Sequence, residues 1–169
     1  MANGPVAENF LAYAAKRMKL SQGQVAGCVA RLSDEQMWRR GGDHENSVAN
    51  LLLHLEGNIR QWVLHGIDGQ PDVRERDQEF ALERRMDAAE ARRRFDAVVD
   101  EAATVIEGLD PERLLEVIDP QPTGGQRNAT ILEAIFKVVG HLEMHTGQII
   151  LLTKQMAAMD LDLSLPRKR

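Results

Sequence analysis

The chain has 169 residues, 21 Lys plus Arg against 26 Asp plus Glu, and a formal charge of −5. That balance excludes a nucleic-acid backbone as the main partner, and the absence of any apolar run near ~18 residues excludes a membrane-spanning helix. A single cysteine, Cys28, rules out an internal disulfide and a Cys-rich zinc module, and 43% hydrophobic residues with 4% aromatics make Leu, Val, Ile, Ala and Met the core. The expectation is one cytoplasmic, all-α domain over residues 1–169 that does not engage a membrane.

Four segments carry a helical period, and none alternates as a strand does. The first, residues 8–32, puts Phe10, Ala14, Met18, Val25, Cys28 and Leu32 on one stripe despite Gly23 and Gly27. Ser33-x-x-Gln36 marks a short turn before the Gly41-Gly42 break. The second helix, residues 47–65, faces inward with Val48, Leu51, Leu52, Leu55, Ile59, Trp62 and Val63. A charged connection over residues 66–86, with Gly69 and Pro71, separates it from the third, residues 88–109, whose face is Phe95, Val98, Val99, Ala102 and Ile106. Asp110-Pro111 opens a further short turn. The fourth helix, residues 131–159, repeats Ile135, Val138, Leu142, Ile149, Leu152 and Met156. Asp87-x-x-Glu90 and Thr130-x-x-Glu133 read as capping boxes. Four amphipathic helices predict a four-helix bundle, and a long connection permits a crossover that leaves two helices parallel.

The chemistry lies in the histidines. His141 and His145 are four residues apart on the fourth helix, so both imidazoles point the same way, and His54 leans inward from the second. An isolated pair of this kind is commonly a surface accident, and a lone core-edge histidine commonly makes a structural hydrogen bond. Three on apolar faces, where an unpaired imidazole is costly, instead suggest three neutral nitrogen ligands. Such a set suits Zn²⁺ or Ni²⁺, with Fe²⁺ or Mn²⁺ as alternatives, and leaves a coordination position open. Rival motifs fail on spacing: His44-Glu45 has Val48 where a zincin needs its second ligand, and no E-x-x-H occurs. Cys28 reads as a buried thiol. Asn50, His54 and Asn58 form a polar ridge that either supports the site or faces water, and Lys137 and Gln148 flank the histidines on the fourth helix. Asp43, His44 and Glu45 read as a solvated turn, with a fourth ligand or base as the alternative. His65 suits a cation at a helix C-terminus, and Trp38 and Trp62 suit the core or a dimer surface, with an apolar substrate wall as the alternative.

Asn50-Leu51-Leu52-Leu53-His54-Leu55-Glu56-Gly57-Asn58, with the late His141-x-x-x-His145 leading into Gly147-Gln148-Ile149, resembles the DinB/YfiT-like superfamily. Asn58-Ile59-Arg60-Gln61-Trp62 and Gly-Gly-Gln-Arg-Asn at 124–128 resemble a subgroup of it without an assigned reaction. The resemblance implies an up-down-down-up bundle, a divalent metal held by His54, His141 and His145, and a homodimer. It also implies a small-molecule substrate, as relatives transfer low-molecular-weight thiols onto small electrophiles. Asn50, Asn58 and Gln148 are the candidate pocket or supporting residues. The expected function is a mononuclear metal-dependent hydrolase or thiol S-transferase; the alternative is a metal- or ligand-binding bundle without turnover.

Overall fold

The computed structural model describes residues 4–81, 84, 86–119, 128–161 and 163. Helix α1 spans Gly4–Val29, burying Leu11, Ala14, Met18, Val25 and Cys28, and it ends three residues before the expected 32. Asp34–Trp38 forms α2, started by a complete Ser33/Gln36 capping box. Val48–Ile59 forms α3, and it runs on without a break into a π-helical turn over Arg60–His65. Its start is a second box: Ser47 Oγ accepts from the Asn50 N–H while the Asn50 side chain caps the Ser47 N–H. Arg76–Glu79 is the one-turn helix α4, and α5 spans Ala88–Glu107. At the head of α5 only half of the expected box forms. Asp87 accepts from the Glu90 N–H, but the Glu90 carboxylate turns to Arg93 instead of returning to the cap. A 3₁₀ turn over Pro111–Leu115 follows, and α6 spans Ile131–Ala157 behind a complete Thr130/Glu133 box. It ends at Ala157, two residues before the expected 159, because the next residue, Ala158, turns left-handed with a φ of 51°.

The long helices make an all-α bundle whose connectivity follows from pairs of named contacts. Arg17 of α1 bonds Glu143 of α6 at 2.6 Å, and Gln36, just beyond α1, reaches the Met156 carbonyl near the end of α6, so these two run parallel. Gln22 of α1 bonds the Asp96 carbonyl while Lys19 pairs with Asp100, so α1 and α5 run antiparallel. His54 meets His141 while Trp62 meets Lys137, which makes α3 antiparallel to α6. Glu56 pairs with Arg94 of α5 and, farther along, Gln70 with Glu101, so α3 and α5 are parallel. The order is up-down-down-up, and the 66–86 connection is the crossover between the two parallel helices.

Met18, Leu51, Leu52, Leu55, Phe95, Ile106, Ile135, Leu142 and Ile149 are fully enclosed between the helices. At about 1.5–3 kcal/mol for each such side chain, this core holds the bundle without help from the histidines. All twelve residues of α3 are buried, because the crossover covers the side that α5 and α6 leave open. The crossover begins with Gly69 at φ +77°, which turns the chain back so that the Gln70 N–H reaches the Leu64 carbonyl and His65 Nδ1–H donates to the Gln70 carbonyl at 2.6 Å. No helix among the described residues is long and apolar enough to cross a membrane.

Candidate metal centre

Along one edge of α3, continued into the π-turn, stand Asn50, His54, Gly57 and Gln61, at steps of four, three and four residues. That spacing makes one helix face, and the crossover docks on it. The Asn50 amide donates to the Glu79 carbonyl at 2.9 Å and to the Ala81 carbonyl, while its oxygen accepts from Arg40 at 2.7 Å. Gln61 accepts from Arg74 at 2.9 Å and donates to Asp72, also at 2.9 Å. Between them Gly57 leaves room for charge: a Cβ there would overlap Glu79 Oε1 and stand 3.2 Å from Arg74 Nε. So the Glu79 carboxylate lies flat on α3, clamped by Arg74 through Nε at 2.6 Å and a terminal nitrogen at 2.8 Å. Burial alone would raise the Glu79 pKa, but the bonds from Arg74 and His54 outweigh it and hold it below the usual carboxylate range.

This carboxylate sets the tautomer of His54. Ionised Glu79 only accepts, so at 2.8 Å His54 Nδ1 is the donor and Nε2 carries a lone pair. That Nε2 lies 2.8 Å from His141 Nε2, a distance bridged by one proton. On the same helix as His141, His145 donates from Nδ1 to Gln148 Oε1 at 2.7 Å, leaving its own Nε2 free to ligate. The ring centroids stand 5.0 Å (His54–His141), 5.0 Å (His54–His145) and 4.4 Å (His141–His145) apart. One nitrogen from each of the three falls within 4.8 Å of the others. Nitrogens around a single first-row ion stand roughly 3–4 Å apart, so small side-chain rotations close the set. Burial pushes His141 down to about 4, helped by the charges of His145, His54, Arg74 and Lys137, and burial also lowers His145. Near neutral pH these two imidazoles are therefore uncharged, the form that binds metal. The donor set fits a borderline divalent ion, and no second cluster of this kind occurs among the described residues.

The whole length from residue 5 to residue 169 matches the model of a family described as "Protein of unknown function (DUF1572)". The chain belongs to DUF1572. No curated protein matches it. The family description names no activity, so in this DUF1572 chain the chemistry has to come from the side chains themselves.

The other candidates fall into three groups. Asn58, 8% exposed, shares the wall of a cavity of about 420 Å³ with His54, His141, Gln61, Trp62, Arg74, Arg76 and Lys137. Gln148 supports His145, and Asn50 anchors the crossover one step behind Glu79. Asp43, His44 and Glu45 are exposed, with Glu45 capping the Gly41 N–H, so the carboxylate at the cluster is Glu79 and not one from that turn. His65 binds the crossover, outside the cluster. Trp62 is buried beneath Lys137, whose ammonium lies 3.8 Å from the ring centroid. Cys28 is enclosed, and burial raises its thiol pKa. Residues 124–127 of the Gly-Gly-Gln-Arg-Asn stretch lie outside the described residues. Sequence reasoning missed Arg74 and Glu79, and also Phe80, whose ring is 4.8 Å from that of His54. The one available signal was the apolar Phe80-Ala81-Leu82 triplet inside an otherwise charged connection.

Proposed function

We propose that this DUF1572 chain is a mononuclear metal-dependent enzyme on a DinB/YfiT-like bundle, with His54, His141 and His145 as ligands and a small molecule as substrate. The observation that carries the reading is the convergence of three imidazoles, two of which already have their outer nitrogens bonded. Glu79 holds Nδ1 of His54 and Gln148 holds Nδ1 of His145, which leaves their Nε2 atoms to the cluster, where one nitrogen of each of the three histidines lies within 4.8 Å of the others. Zn²⁺ or Ni²⁺ suits the set best, with Fe²⁺ or Mn²⁺ as alternatives. Held there, such an ion supplies a Lewis acid that makes a nucleophile of water or a thiol at neutral pH.

The chain's own residues do the rest. Arg74 keeps Glu79 ionised, Glu79 keeps the His54 proton on Nδ1, and Phe80 packs against the His54 ring. The cavity beside His54 and His141 admits a small molecule next to the cluster. Hydrolysis of a small ester or amide and transfer of a low-molecular-weight thiol both fit this arrangement. We further propose that the enzyme works in the cytoplasm as a homodimer, supported by the family resemblance and by the exposed Phe136, Met144 and Leu151 along α6. The test is a turnover screen of Zn²⁺- and Ni²⁺-loaded protein, with aryl esters in one arm and monochlorobimane plus small thiols in the other. Turnover that a chelator abolishes and His141→Ala lacks is expected. Metal-loaded protein inert in both arms would favour the binding protein without turnover.

A further inference from the structure

The cavity beside the histidines has a charge at odds with the chain as a whole. The protein carries −5, yet this wall contains Arg74, Arg76 and Lys137 and no Asp or Glu. Arg74 is engaged on three sides by Glu79 and Gln61. The other two are not neutralised. Lys137 sits over the Trp62 ring at 3.8 Å and Arg76 over the Phe80 ring at 5.1 Å, and among the described residues neither forms an ion pair. On α5, by contrast, Arg92 pairs with Asp96, Arg93 with Glu90 and Arg94 with Glu56. An aromatic face holds a cation in place without cancelling its charge. Lys137 is also partly desolvated, which lowers its pKa and strengthens any contact it makes with an anion. Lys137 and Arg76 therefore line the same space of about 420 Å³ as His54 and His141.

We propose that this cavity is an oxyanion subsite: the small-molecule substrate carries a carboxylate or phosphate group that binds Lys137 and Arg76, placing its other end at the histidine cluster. The assignment of the reacting end rests on the metal-site reading; the anion subsite itself does not. Asn58 lines the same cavity and offers an amide to the bound molecule. A neutral molecule of the same shape leaves both cations without partners and binds weakly.

The test uses the full-length, metal-free protein and isothermal titration calorimetry at low salt and about pH 7.5, where carboxylates are ionised. Succinate, inorganic phosphate and neutral succinamide are titrated into wild type, Lys137→Gln, Arg76→Gln and, as a control in the distant α1/α6 groove, Arg17→Gln. At least one anion is expected to bind while succinamide does not, and the tighter of the two identifies the headgroup as carboxylate or phosphate. Lys137→Gln and Arg76→Gln should each weaken that anion by about ten-fold or more, and Arg17→Gln should not change it. Arg76 is exposed, so its variant reports on binding without a risk to folding. Succinamide binding as tightly as succinate, no binding of either anion, or lysine and arginine variants within about two-fold of wild type would each overturn the proposal. Zinc titrated into the same samples reads the metal site separately. Anion binding without zinc binding keeps the subsite and removes the metal reading; zinc binding without anion binding does the reverse.

Discussion

Glu79→Gln keeps the shape of the side chain and removes its charge, so it separates the two things this carboxylate does. Arg74 and Glu79 are each 7% exposed, and the guanidinium meets both carboxylate oxygens. With glutamine in place the amide NH₂ faces an Arg74 donor, and a buried cation loses its counter-charge. Breaking such a pair from one side costs about 3–5 kcal/mol, which for a chain of this length is a fall in Tm of roughly 6–20 °C. Replacing both partners, Arg74→Met with Glu79→Met, removes the uncompensated charge and should recover most of that loss. About 1–3 kcal/mol should stay missing, because His54 Nδ1–H then lacks its acceptor. Metal affinity should behave differently. The double variant loses the acceptor that orients His54 and should bind zinc about 10–100-fold more weakly than wild type, whereas the single variant keeps a neutral amide oxygen there and should lose less. Thermal melts of the metal-free proteins and competition with a chromophoric chelator measure the two effects independently. A double variant that regained wild-type zinc affinity along with its stability would refute the orienting role. A Glu79→Gln protein melting within about 2 °C of wild type would refute the buried pair.

Further outcomes follow from the same geometry. Gly57→Ala should destabilise the chain, since its methyl overlaps Glu79 Oε1, and should also weaken metal binding. Gly140→Ala, mid-helix in α6 with nothing within 4 Å, should stabilise it by about 0.5–1 kcal/mol, and chemical denaturation compares the pair. The pH dependence has a definite sign. His141 titrates at about 4 in the fold and near 6.5 unfolded, so below 6.5 the unfolded chain takes up the proton first. Stability of the metal-free protein should therefore fall as pH drops from about 6.5 towards 4, and His141→Gln should flatten that slope in denaturant titrations.

The helices were legible because their apolar stripes are long and their starts are capped: Ser33, Asp87 and Thr130 each cap a helix where the sequence places one. His54, His141 and His145 were legible for the same reason, since a residue's face on a regular helix is set by its number. The crossover was not. Asp72, Arg74, Glu75, Arg76, Asp77 and Glu79 look alike as a solvated charge run, and only docking on Asn50, Gly57 and Gln61 selects Arg74 and Glu79 for burial. Gly57 itself reads as a flaw in α3 until the carboxylate above it is seen. The π-turn at Arg60–His65 also lacked a local signal, because its i→i+5 bonds, such as Gly66 N–H to the Gln61 carbonyl, answer to packing and not to residue type. Glu90 shows the opposite failure. A sequence pattern promised a reciprocal cap, and a nearer arginine took the carboxylate.

The central claim is that His54, His141 and His145 hold one ion. Elemental analysis of untagged protein, equilibrated with Zn²⁺ or Ni²⁺ and then desalted, tests it most directly. Wild type and His65→Ala should retain about one ion per chain, because His65 Nδ1 binds a carbonyl outside the cluster. His141→Ala and His145→Ala should retain almost none while keeping the helical circular dichroism of the bundle. Wild type without metal, or a His141→Ala protein that still carries a full equivalent, would contradict the account.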